Sequence, residues 1–309
     1  MKHPKSKRSK RTRTDRRKSA RSGAMHDERQ TTPLGYSAFR LLAWQPLSLT
    51  LEDPRPFDLS LRQLRCRLAI RPAEQDEFAQ LARGGSFIAI DFHLSTATDL
   101  LVAVYTGVKL VEDFLSATAL VEGATLRSIE PIQIVRADQT TSNKYTFVRF
   151  LQLQYNHWET PIPLTTIDHV RRLVAHWDGL DTGTRLRRAA RQFRQAIGTP
   201  DDLTAFQHAY IGLEAMEKPL AQAAGIPPGV EEAQGACTNC GEPYTRRRTV
   251  LAGVRAYVHG AVHPATVSSQ RKREWRQLSR LRQDLFHGLA DTPALERRAQ
   301  TTLPAAMHY

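Results

Sequence analysis

Leu278-Ser279-Arg280-Leu281-Arg282-Gln283-Asp284-Leu285-Phe286-His287-Gly288-Leu289 is the stretch from which the fold of the chain's second half is read. Leucines at 278, 281, 285 and 289 recur at steps of three, four and four, the stripe of a helix packed on a core. At about 100° per residue, Gln283 and His287 lie one turn apart on the side away from that stripe. Arg282 lies at the stripe's edge, about 140° round from His287. A histidine that titrates near neutral pH and a permanently charged guanidinium are the groups that RNA phosphodiester cleavage needs. The spacing itself is common in a chain rich in arginine: R-x4-H also occurs at Arg171 to His176 and at Arg21 to His26.

Working back from this helix, the sequence divides into two textures. From residue 36 to about 160 short apolar runs dominate. Phe39 to Leu51, Leu64 to Ile70 and Ser86 to Leu94 read as strands, the last two with an alternation that gives the sheet one buried face. Asp91 and His93, two apart, share a strand face. Residues 98–117 carry Leu101, Val104, Val108, Val111 and Leu115 at helical spacing, with Thr98 as the N-cap. Thr125 to Val135 and Tyr145 to Tyr155 read as two more strands joined through the turn-rich 138–143. This predicts an α+β domain over 36–160 with a partly antiparallel sheet. It holds no glycine-rich phosphate loop, no nucleophile elbow and no metal-ligand spacing.

Glu159 to Pro163, with prolines two apart, reads as the boundary. Beyond it helices are expected from Thr165 or Thr166 to Trp177, from Thr184 to Ile197, from Asp201 or Asp202 to before Gly225, and from Ser268 to Leu289. The residues from Thr292 onward are polar and broken and predict no element. Arg185, Arg187, Arg188, Arg191 and Arg194 make the second of these helices strongly basic. Such a run is either a solvated face or a guide for RNA, as are Arg276 and Arg280 on the last helix.

Between the helices lies Cys237-Thr-Asn-Cys240-Gly241, a turn resembling half of a zinc knuckle. His259 and His263 would complete a C-x2-C-x18-H-x3-H set, longer in the middle than a usual finger. A structural zinc on Cys237, Cys240, His259 and His263 and a knuckle that has lost its metal both remain open. With Cys66 these are the only three cysteines, which points to a reducing compartment and a cytoplasmic protein, not a disulfide framework.

The net charge of +13 over 309 residues is uneven. Residues 1–23 hold eleven Lys or Arg and one Asp, with no large apolar residue after Met1. They read as a disordered basic tail, over about 1–25, that binds nucleic acid by releasing counterions or only solubilises; a start at Met25 is the other reading. No apolar run reaches about 18 residues, so a membrane span is not expected.

The helix with Leu213-Glu214-Ala215-Met216-Glu217, the Cys-x-x-Cys-Gly insert at 230–245 and the terminal helix ending Arg282-Gln283-Asp284-Leu285-Phe286-His287-Gly288 together resemble HEPN domains, in particular the ApeA-like branch of prokaryotic defence proteins, over about 165–290. The resemblance implies an all-α helical bundle that dimerises and places two R-polar-x3-H motifs in one cleft. It implies a metal-independent endoribonuclease with Arg282, Gln283 and His287 as catalytic residues, no cofactor for catalysis, and an antiviral or toxin-like role. The alternative is a non-catalytic nucleic-acid-binding or dimerisation module.

Overall fold

The computed structural model describes residues 35–72, 84–136, 144–146, 159–226, 230–236, 240–249, 251–258, 268–287 and 291–308. Its first half is built on a six-stranded antiparallel sheet in the order β3-β4-β5-β1-β6-β7. The strands are β1 (Tyr36–Gln45), β3 (Phe57–Leu61), β4 (Leu64–Pro72), β5 (Ser86–Ser95), β6 (Glu130–Arg136) and β7 (Lys144–Thr146). Register explains the core. Phe39 faces Phe92 and Phe92 faces Cys66, while Leu41–Ile90–Leu68 and Ala43–Ile88–Ile70 form the next rungs on the same face. All nine side chains are buried. On the other face Arg40 lies opposite Asp91, and its guanidinium donates to both carboxylate oxygens at 2.6 and 2.8 Å. The Asp91–His93 face is thus occupied by a cross-strand ion pair.

The expected single strand from Phe39 to Leu51 is broken at Pro46. Its second part, β2 (Ser48–Leu51), leaves the large sheet and pairs in parallel with β8 (Glu159–Ile162). The Pro161 segment read as a strand-stopper therefore does form a strand, in a two-stranded ribbon where it has a neighbour on one side only. Strand β3 went unread in the sequence because it is short and ends on the polar turn residues Arg62 and Gln63. The later part of the expected Tyr145–Tyr155 strand lies outside the described residues.

Helix α1 (Leu100–Glu122) covers the buried face of the sheet. Asp99, not Thr98, caps it, accepting from the Val102 N–H at 2.8 Å. Gly107 lets the helix touch the sheet, since a Cβ there would stand 2.9 Å from Leu41 and 3.1 Å from Phe92. Helix α2 (Leu164–Asp178) adds Ile167, Val170, Val174 and Trp177 to the same core.

A second core follows. It gathers Phe206, Ala209, Tyr210 and Leu213 of α4 (Asp202–Ala223), Val254 of α5 (Ala252–Ala256), Trp275, Leu278 and Leu281 of α6 (Ser268–His287), and Leu295, Ala299 and Ala306 of α7 (Thr292–His308). Helix α7 is an element the sequence reading did not predict; its apolar positions are mostly alanines, a weak signal. Between α4 and α5 lies the hairpin β9 (Val230–Ala236) and β10 (Pro243–Thr249).

Helix α3 (Gly183–Gly198) is the wall between the two cores, with Ala190 in the first and Ala196 in the second. Against α4 it turns Ala189 and Gln192, which a Cβ on Gly212 would meet at 3.5 and 3.4 Å. Toward α1 it turns arginines. Arg194, 1% exposed, ion-pairs with Glu112 and donates to the Arg127 carbonyl at 2.8 Å. Burial draws its pKa below the ordinary arginine value, with Glu112 the chief opposing charge.

Candidate functional site: the C-terminal end of α6

Helix α6 has two unlike faces. Trp275, Leu278 and Leu281 are buried, while Lys272, Arg273, Arg276, Arg280 and Gln283 are exposed. At about 100° per residue those five exposed positions and position 287 fall within an arc of about 100°. A track of four cations thus runs along one face toward Gln283 and His287. His287 is the last residue of α6, and its side chain lies outside the described portion.

Arg282 lies beside this track, at the edge of the packed face. Its Nη2 reaches Glu214 Oε1 on α4 at 3.2 Å. Its guanidinium carbon is 5.1 Å from the Phe286 ring centroid and 5.9 Å from that of Tyr210. Two rings and a carboxylate fix the position of the charge, though with both ion-pair partners more than a third exposed the pair contributes little to stability. Asp284 faces the other way and pairs with Arg298 of α7 at 2.6 Å. Phe286 is 50% exposed, an uncovered ring next to the guanidinium.

The residues that sequence reasoning left without a role here are Glu214, Tyr210 and Phe286. Phe286 had a readable signal, since it stands four residues after Arg282 and so on the same side of the helix. The partners on α4 had none, because their meeting with α6 is a tertiary event.

The arginines of α3 separate into two groups. Arg185 and Arg188 are exposed. Arg187 and Arg191 turn toward α1 and the end of α2, where Arg187 ion-pairs with Asp178 of α2 and with Asp113 of α1 at 3.3 Å, and Arg191 lies 3.7 Å from Asp113. The basic face of this helix is therefore largely an internal ion-pair surface. The look-alike pair Arg171 and His176 is exposed on α2, with Arg171 donating to Asp168 at 2.8 Å.

Of the expected zinc ligands Cys240 is described and exposed, just before β10, and Gly241 beside it has φ +75°. That left-handed glycine suits a knuckle turn whose amides point at thiolates. Cys237, His259 and His263 lie outside the described residues. Among the described residues no three His, Cys, Asp or Glu side chains gather to hold a metal, and no helix is long and apolar enough to cross a membrane.

Comparison with protein-family models, with curated proteins and with solved structures finds no match to this chain.

Proposed function

We propose that this protein is a metal-independent endoribonuclease of HEPN type whose chemistry takes place at the C-terminal end of α6. The observation that carries the reading is the cationic track Lys272–Arg273–Arg276–Arg280 ending beside a guanidinium that Glu214, Tyr210 and Phe286 hold in place. A backbone of phosphates lying along the track delivers a phosphodiester to the helix end. There His287 takes the proton of the ribose 2′-OH as that oxygen attacks the neighbouring phosphorus. The P–O5′ bond breaks, leaving a 2′,3′-cyclic phosphate and a 5′-hydroxyl that receives a proton. Arg282 stabilises the added negative charge at phosphorus, and Gln283 orients the histidine from one turn away. Since Arg282 and His287 diverge on one ideal helix, a homodimer supplies each with a neighbour from a second copy. An antiviral or toxin-like role accompanies this reading through the HEPN resemblance.

The Arg282–Glu214 pair favours a second reading. A guanidinium already matched by a carboxylate serves packing equally well, which makes the bundle a nucleic-acid-binding or dimerisation module. Cleavage of labelled single-stranded RNA in excess EDTA separates the two. Wild type leaving cyclic phosphate ends, with His287→Ala inactive but still binding, is the expected result. Equal cleavage by both proteins removes His287 from the chemistry, and absence of cleavage by both gives the binding module the better claim.

A further inference from the structure

Away from α6, on the opposite side of α3 from α4, an arrangement of charges around Asp113 is out of balance. Asp113, in the middle of α1, is 1% exposed. Its carboxylate accepts from Arg62 Nε at 2.7 Å and Nη2 at 3.0 Å, the two-pronged fit of a guanidinium on a carboxylate. Arg187 stands between Asp113 and Asp178, and Asp178 also accepts from the Gln63 N–H at 2.9 Å. With these contacts both acids are committed.

Two further cations face the same place without an acid of their own among the described residues. Arg191 lies 3.7 Å from Asp113, beyond hydrogen-bond reach, and its enclosed Nε has no hydrogen-bond partner among the described residues. Lys109, one helical turn before Asp113, holds its Nζ 3.8 Å from the centroid of the Tyr105 ring, a further turn back. Among the described residues four cations therefore meet two carboxylates, an excess of two positive charges. Arg62 and Arg191 are each about a third exposed (31% and 33%), so the excess opens to solvent. Tyr105 is 62% exposed. The phenol's pKa lies below its ordinary value, through Lys109 first and then Arg191 and Arg62, so all three cations act on one spot.

The backbone beneath is held under strain. Arg62 and Gln63 form the two-residue turn between β3 and β4 with φ of +52° and +63°, where glycine or asparagine is usual. The two acids hold the turn in that form through the Arg62 side chain and the Gln63 amide.

We infer that Arg62, Lys109 and Arg191, with Tyr105 as a stacking platform, form a binding site for a nucleotide phosphate, the phosphate taking the two unmatched charges and the base lying on the exposed ring. The doubly charged terminal phosphate of a free nucleotide matches the excess, as do two successive, singly charged phosphodiesters of a strand. An aromatic ring beside it is the feature that separates a nucleotide from a bare anion. The source is either a free nucleotide or the phosphodiester of a single-stranded RNA. The site lies apart from α6 and does not depend on cleavage there.

The test is binding of the full-length protein, in EDTA, to a fluorescent 2′-O-methyl oligoribonucleotide, which 2′-OH attack cannot cleave, with AMP as competitor. The Lys109→Gln/Arg191→Gln protein keeps both acids paired through Arg62 and Arg187, and an unchanged melting curve verifies its fold. It is expected to bind at least tenfold more weakly at low salt, with the log–log salt slope shallower by about 1.4 for two lost phosphate contacts. Tyr105→Ala is expected to weaken binding about fivefold or more at every salt concentration. The basic tail is the same in all proteins and drops out of the comparison. Competition by AMP, lost in the variants, assigns a free nucleotide; no competition with the variant effects intact assigns the RNA strand. Affinity within twofold of wild type and an unchanged slope in both variants overturn the inference.

Discussion

Replacing Asp113 by Asn isolates what burial does to an ion pair in this protein. The substitution keeps the side-chain volume and one acceptor oxygen but removes the charge against which Arg62, Arg187 and Arg191 are set. Asp113 is 1% exposed, so water cannot replace it. Removing one partner of a buried pair costs about 3–5 kcal/mol, because the opposite charge stays behind without compensation. The oxygen that Asn retains favours the lower end, about 3 kcal/mol, and for a protein of 309 residues the melting temperature falls by about 5 °C. Asp53→Asn provides the comparison. Asp53 also receives an arginine fork, from Arg55 at 2.6–3.0 Å, yet Arg55 is 84% exposed. Near-identical geometry in water predicts a change within about 1 °C. Differential scanning calorimetry of the two variants beside wild type measures both. A shift below about 2 °C for Asp113→Asn would mean that the arginines relax outward into solvent, and the account of Asp113 as the anchor of this region would be refuted.

The turn and the thiols give four further expectations. Gln63→Gly keeps the backbone N–H that Asp178 accepts and removes a left-handed non-glycine residue, so stability is expected to rise by about 1 kcal/mol in urea titration; a loss shows that the turn is not strained. Burial pushes the Cys66 thiol up to about 12, whereas Cys240 is exposed. With any zinc stripped by a chelator, iodoacetamide at pH 8 is therefore expected to alkylate Cys240 and spare Cys66 until the chain is unfolded, as peptide mass spectrometry would show; native labelling of Cys66 counts against its burial. The same shift has a sign. Between pH about 9 and about 12 the unfolded thiol has lost its proton and the native one has not, so Cys66 makes stability fall with rising pH, and Cys66→Val removes that slope. For the knuckle, elemental analysis is expected to find one zinc per chain, lost in Cys240→Ser; a metal-free wild type leaves the turn vestigial.

Much of the first half was legible because its signal is local. The alternation in Leu64–Ile70 and Ser86–Leu94 marks strands whose register the structure displays, and the spacing across 98–117 marks α1. Three features could not be read that way. Glu112 and Asp113 stand inside an apolar stretch, and only the arrival of α3 and of the β3–β4 turn shows that they are partners for arginine. The arginine face of α3 has the periodicity of a solvated surface, and its periodicity is unchanged whether water or a carboxylate lies opposite. Arg282, finally, is visible in sequence as a spacing, while Glu214 and Tyr210, which hold it, are 68 and 72 positions away.

Helix α3 also sets the order of events during synthesis. The sheet's core is completed by Val170, Val174, Trp177 and Ala190, and the buried Glu112 acquires its counter-charge only from Arg194. At a translation rate of about 5–20 residues per second, the strands and α1 wait several seconds for these groups after they have themselves been made. Through that interval Asp113 already has Arg62, but Glu112 stands on α1 without its counter-charge. The sheet half therefore acquires its final packing only once α3 has emerged, whereas the second core waits for α7, about a hundred residues later.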